Sequence, residues 1–194
     1  MNTDTSAQSL DRSVLPDPTR WRRARWDEPG TVYFYSGRRG PHRRFSNFDD
    51  EAPFPMAAWY DPSVILLFDS GEHAFQCAKG RNEAEHERIR RADSPLAAKR
   101  AAWQYPCPPD WNRRRAHIML TVVRAKFAVP ELRALLLSTG DRILAEDSPR
   151  DFVWGCRDPT GGYTGENLLG RALMRVRDEA RYAARRNAPT LPGR

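Results

Sequence analysis

Cysteine is scarce: Cys77, Cys107 and Cys156 are the only three in 194 residues, far apart and without C-x-x-C spacing. An odd count with no framework argues against a disulfide-stapled secreted domain and for free thiols in a reducing compartment. Long apolar runs are missing too. Val64–Phe68 is typical of those present and falls far short of a membrane span. The opening MNTDTSAQSL lacks the basic-then-apolar order of a secretory signal. Together these absences predict a cytoplasmic protein with no membrane partner. Lysine is also rare, since only Lys79, Lys99 and Lys126 stand among 32 basic residues.

What is present is charge and helix. The net charge of +7 and pI near 9.8 fit a polyanionic partner or a phosphate-bearing ligand, although base composition alone can produce such an arginine bias. The length suits a single domain able to bury a core without a staple. Residues 1–30 are polar and proline-punctuated and read as a basic, disordered arm. Within it, Trp21 and Trp26 among arginines would either touch nucleic acid or, as the favoured reading, lie on the domain. The domain itself is expected over 31–182, with 183–194 as a flexible tail.

The predicted fold class is α+β, a predominantly helical single domain with a few short strands. Strands are expected at 31–36, at 63–68 as a buried run, at 142–146 and at 152–154, with 42–62 irregular. Helices are expected at 71–80, 83–92, 95–104, 111–127, 130–139 and from Asn167 to about Arg186. Asp69-Ser70 and Ser94-Pro95 supply start signals.

Four segments carry candidate chemistry. On the helix at 71–80, Glu72, Gln76 and Lys79 (i, i+4, i+7) share one face, with His73 and Phe75 directed elsewhere. That stripe is either an exposed polar face or a reactive one. The choice of lysine in an arginine-rich chain favours reactivity, because arginine keeps its proton whereas a desolvated lysine can become a nucleophile. In Asp151-Phe152-Val153-Trp154-Gly155, a carboxylate stands near a flat aromatic wall. Gly165-Glu166-Asn167 precedes the last helix, where free N–H groups could meet phosphate. Phe45-Ser46-Asn47-Phe48 follows a basic turn. Each of the last three is, taken alone, equally readable as core or turn structure.

Taken in order, these segments resemble the NADAR family. The chain shows Phe45-Ser46-Asn47-Phe48, then Glu72-His73-x-Phe75-Gln76-x-x-Lys79, Trp111 after a proline-rich stretch, Lys126-Phe127 and Thr139-Gly140. Asp151-x-x-Trp154-Gly155 and Gly165 through Arg177, with Leu173-Met174, complete the set, covering about 31–180. Phe45 stands where leucine is usual, and Gly71 and Cys77 sit within the Lys79 helix as apparently tolerated swaps.

The resemblance implies an N-glycosidase that cleaves ribose C1 from an exocyclic amine. Its substrate would be a phosphorylated N-ribosyl small molecule, such as a ribosylamino-pyrimidine phosphate of riboflavin biosynthesis, or ADP-ribosylated guanine, free or within nucleic acid. No His/Cys/Asp grouping has metal-ligand spacing, and neither metal nor other cofactor is expected. Lys79 would attack C1 of the ring-opened sugar to give a Schiff base, with Glu72 and Asp151 moving protons. In a competing closed-ring mechanism two carboxylates do the work and Lys79 only orients Glu72. Substrate binding is assigned to Asn47, Phe48, Gln76, Trp111, Trp154, Gly155 and Asn167, with the two tryptophans stacking on the base. Arg38, Arg39, Arg43 and Arg44 are candidate phosphate ligands. A non-catalytic ADP-ribose or nucleotide-binding module and an arginine-rich RNA-binding domain are the alternatives.

Overall fold

The computed structural model describes Trp26 and residues 29–186. The expectations for the remainder of the arm, Trp21 included, and for residues 187–194 lie outside the described residues.

Helices dominate because their signals are local. Ser70, Asn82 and Ser94 each accept the N–H three residues on, starting α1 (Gly71–Cys77), α2 (Glu83–Arg90) and α3 (Pro95–Ala102). α4 (Trp111–Lys126), α5 (Pro130–Ser138) and α6 (Leu168–Arg186) follow the expected spans closely. α1 stops before Lys79, which sits in the turn that follows, its N–H bonded to the Gln76 carbonyl at 3.0 Å. α6 reaches Arg186, where the last helix was expected to end.

The strands form two separate pairs. β1 (Val32–Phe34) lies parallel to β4 (Leu144–Glu146), with Phe34 opposite Glu146. β2 (Phe54–Ala57) runs antiparallel to β3 (Ile65–Phe68). β2 and a 3-10 helix at Pro41–Phe45 fall in the segment read as irregular. β3 is not a buried strand: Ile65 and Leu67 are 63% and 54% exposed, because a two-stranded ribbon covers only one face, the one carrying Phe68. The 152–154 segment is a turn rather than a strand. Asp151 Oδ1 accepts the N–H groups of Val153 and Trp154 and curls the chain back on itself.

α1 lies at the centre, packed on α2, α3 and α4, and all seven of its residues are buried. α6 covers β4 and packs on α4 and α5. Trp26 is 5% exposed and donates its indole N–H to the Gly165 carbonyl at 2.7 Å, so the folded body begins before residue 31. Among the described residues, no helix is long and apolar enough to cross a membrane.

Several of the recognised motif residues build this frame. Phe127 packs on Phe45 with ring centroids 5.8 Å apart. Arg177 donates to the Thr139 hydroxyl at 2.9 Å and the Arg142 carbonyl at 2.8 Å. Lys126, fully buried, donates to the Ser46 carbonyl at 2.8 Å and lies 3.4 Å from the buried Asp49 carboxylate. It therefore locks the loop that carries Asn47 and Phe48. Replacing Lys126 with Met leaves the buried Asp49 charge only the longer 3.7 Å pairing with Arg44 and should cost about 3 kcal/mol in urea unfolding, the low end for breaking a buried pair. Adding Asp49→Leu should recover most of that loss.

Candidate functional site

A cavity of about 190 Å³ opens beside α1. α1 contributes Glu72, Phe75 and Gln76, and the following turn Lys79. The loop before β2 brings Asn47 and Phe48, and α3 brings Lys99. α4 presents Trp111, Arg115 and Met119, spaced by one helical turn each. Glu146 at the end of β4, Asp151 and Trp154 from the turn after it, and Leu169 of α6 close the far side.

The loop is clamped onto α1. The Asn47 carbonyl accepts the Glu72 N–H at 2.9 Å, and its side-chain amide lies 3.1 Å from Met119 Sδ. A Cβ at Gly71 would stand 2.6 Å from Asn47 Oδ1. Glycine there leaves room for the Asn47 side chain as it is placed, and a larger residue would make that amide shift.

Aromatic rings form an apolar wall. Phe75 meets Trp111 at 5.1 Å and Trp154 edge-on at 5.4 Å between centroids, so it faces the site although spacing along the helix directed it elsewhere. The Lys79 ammonium lies 5.0 Å from the centre of the Trp111 ring. Lys99 lies 5.9 Å from the centre of the Phe48 ring.

Burial sets the electrostatics. It pushes the Glu72 carboxyl up, opposed by the hydrogen bond from Gln76 (2.8 Å) and by the charges of Lys99 and Lys79. It pushes Glu146 up to about 8, with the charges of Asp151 and Glu72 adding to the effect and Lys99 opposing it. It pushes the Lys79 amine down, opposed by Cys107 and Glu72 and reinforced by Lys99 and Arg115. Lys79, Lys99 and Arg115 form no ion pair with a carboxylate among the described residues, whereas Lys126 does. Gln76 Oε1 and Arg115 Nε are buried without a hydrogen-bond partner. The cavity thus gathers buried acids and cations that form no ion pair among the described residues, an arrangement suited to an anionic ligand and to proton transfer.

Eight of the ten residues expected from sequence meet here: Glu72, Lys79, Asp151, Asn47, Phe48, Gln76, Trp111 and Trp154. Asn167 and Gly155 do not line the cavity. Asn167 has φ of 51° and is fully buried, accepting the Glu146 N–H at 3.0 Å and donating to the Leu144 carbonyl at 2.9 Å. A Cβ at Gly155 would lie 2.4 Å from the Asp151 carbonyl, so Gly155 lets the turn close. The start of α6 is not an open anion site either. The N–H groups of Glu166, Asn167, Leu168 and Leu169 are taken by the carbonyls of Phe152, Gly155, Val153 and Trp154. Arg38 pairs with Asp147, and Arg43 and Arg44 pair with Glu51; with Arg39, they lie away from the cavity lining.

Sequence reasoning missed Phe75, Lys99, Arg115, Met119, Glu146 and Leu169. The rarity of lysine, which singled out Lys79, applies equally to Lys99. Arg115 and Met119 extend the helical stripe of Trp111, and Glu146 is an acid at the end of an otherwise apolar strand.

Comparison with known proteins places this architecture. The family model described as the NADAR domain matches residues 33–181. The chain is 36% identical over 140 residues to the N-glycosidase YbiA of Escherichia coli, covering 70% of this chain and 85% of that one. It is 32% identical over 161 residues to an N-glycosidase of Nostoc punctiforme, covering 78% and 93%. It is also 37% identical over 130 residues to a riboflavin biosynthesis protein of Vibrio vulnificus, covering 64% of this chain and 35% of that longer one. The solution NMR structure of Escherichia coli YbiA matches with a TM-score of 0.65 at 31% identity, covering 89% of this chain and 96% of that one.

The placement of Asn167 yields a prediction. Asn167→Ala should strand two buried backbone groups and lower stability by about 3 kcal/mol, given about 1–3 kcal/mol for each. In the folded fraction, KM should stay within about twofold of wild type, taking less than ~0.5 kcal/mol as the effect of a residue without substrate contact. A raised KM with unchanged urea stability would return Asn167 to substrate binding.

Proposed function

This chain belongs to the NADAR family, and on that premise we propose that its cavity hydrolyses the bond between ribose C1 and an exocyclic amine. The protein is an N-glycosidase, a hydrolase of N-glycosyl bonds, like the relatives it resembles over most of their length. The observation that carries the finer reading is Lys79. It is a half-buried amine with no ion pair among the described residues, held against the Trp111 face in a cavity that also holds the buried carboxyl of Glu72.

The chemistry follows from the bond. In a glycosylamine the nitrogen lone pair expels the ring oxygen and leaves an imine at C1. A neutral Lys79 amine adds to C1, the base departs, and water hydrolyses the resulting Lys79–sugar Schiff base. Desolvation that lowers the Lys79 pKa raises the share of neutral amine. Glu72 and Asp151 move protons at the sugar, and Trp111 and Trp154 offer faces to the base.

The substrate class is a phosphorylated N-ribosyl compound, either a ribosylamino-pyrimidine phosphate or ADP-ribosylated guanine. Lys99 and Arg115, cavity-lining cations that form no ion pair among the described residues, are the groups that take its phosphate. They replace Arg38, Arg39, Arg43 and Arg44 in that role. A reducing, cytoplasmic setting suits the exposed free thiol of Cys107.

Purified protein should release base from one of the two substrate types, and Lys79→Ala should abolish release. Borohydride added during turnover should leave a sugar adduct on Lys79 by mass spectrometry. Full activity in Lys79→Ala, or no adduct, would leave the closed-ring route. kcat/KM should rise with pH on its acid limb as Lys79 loses its proton, a limb that burial shifts downward from the ordinary lysine range. Arg115→Gln should raise KM by roughly tenfold, the loss of about 1.4 kcal/mol of binding. It should do so only for the phosphorylated substrate and not for its dephosphorylated form.

A further inference from the structure

We propose that Glu146 is the proton donor to the departing amine, a third carboxyl group acting beside Glu72 and Asp151. The proposal rests on the N-glycosidase reading but not on whether Lys79 becomes covalently attached.

By either route, breaking the C1–N bond leaves its electron pair on the amine nitrogen. An amine anion is a very poor leaving group, so that nitrogen must receive a proton as the bond breaks. In the proposed step the Glu146 carboxyl gives up its proton, the amine departs neutral, and Glu146 is left as a carboxylate. The carboxylate then takes a proton from the water that adds to C1, which restores the acid. The sum is one water consumed and one free amine formed.

Three observations select Glu146. First, its backbone is held on both sides: its N–H donates to Asn167 Oδ1 at 3.0 Å and its carbonyl accepts the Cys156 N–H at 2.7 Å. Its side chain lines the cavity from a residue only 9% exposed. Second, the other two acids are engaged as acceptors, Glu72 Oε1 from Gln76 and Asp151 Oδ1 from two backbone N–H groups. Glu146 has no side-chain hydrogen bond among the described residues and is free to face a ligand. Third, its surroundings keep it neutral. Glu72 of α1 and Asp151 of the following turn face it with negative charge, and Lys99 of α3 opposes them. Lys79 and Arg115 line the same cavity, α6 meets β4 here through the neutral Asn167, and neighbouring Asp147 is tied to Arg38 and Arg157. Burial and the two carboxylates raise Glu146 to about 8, so it carries its proton at neutral pH and loses it on the alkaline side.

The test uses the full-length protein and the ribosyl 5-phosphates of aniline and para-nitroaniline, whose leaving nitrogens differ in their need for a proton. With the aniline substrate, wild-type kcat/KM should fall at alkaline pH with a midpoint near 8. Glu146→Gln should lower kcat by ~10²-fold or more and erase that alkaline limb. With the nitroaniline substrate the loss should shrink to less than about tenfold. An equal loss on both substrates would make Glu146 merely structural, and a wild-type rate in Glu146→Gln would remove it altogether. If Glu146→Gln fails to fold, the wild-type profiles decide. An alkaline limb on aniline that is absent on nitroaniline supports the assignment, and the same limb on both overturns it. A wild-type protein that releases neither amine overturns the underlying activity and this assignment together.

Discussion

Everything in this site depends on the burial of a polar helix. All seven residues of α1 are buried, and Glu72, His73 and Gln76 are among them. A buried polar group must be bonded or else changed in charge state. His73 is satisfied by Ser70 at 2.8 Å and the Ala92 carbonyl at 3.0 Å, which anchor α1 to the body. Glu72 and Gln76 bond to each other and turn to the cavity, where Gln76 Oε1 remains unmet. The same desolvation that raises the carboxyls lowers Lys79. One constraint thus brings acids and amine toward states in which protons can pass between them.

Position is supplied by a frame of polar anchors reaching the backbone. Lys126 ties down the Asn47 loop, Asn167 ties down Glu146, and Arg177 ties α6 to the turn after α5. These residues belong to the same recognisable motifs as the cavity-lining ones, yet they sit behind the cavity. A site that needs reacting groups placed to a fraction of an ångström requires such support, since small displacements cost rate steeply.

The cavity gathers two kinds of charge. Carboxyls come from α1, β4 and the turn after β4, and cations from α3, α4 and the turn after α1. The substrate proposed above, a phosphorylated glycosylamine, carries a fixed negative charge and a bond that needs acid and nucleophile. In the same lining Phe75 packs its ring against Trp111 and Trp154.

Much of this was legible in the sequence because its signals are local. Caps and apolar periodicity set the helices, and the rarity of lysine beside Glu72 and Gln76 marked a stripe that lines the cavity. What the sequence by itself determined is the helical order, the family and eight residues of the cavity lining. The tertiary structure decided the rest, because it depends on contacts between distant segments. Strand pairing left Ile65 and Leu67 in solvent and drew β2 out of an apparent loop. Asn167 became a brace because its amide meets β4, more than twenty residues back in the chain. Glu146 became part of the site because a parallel pairing with β1 and the covering α6 bury its end of β4 beside Glu72 and Asp151, and no short-range pattern encodes that meeting.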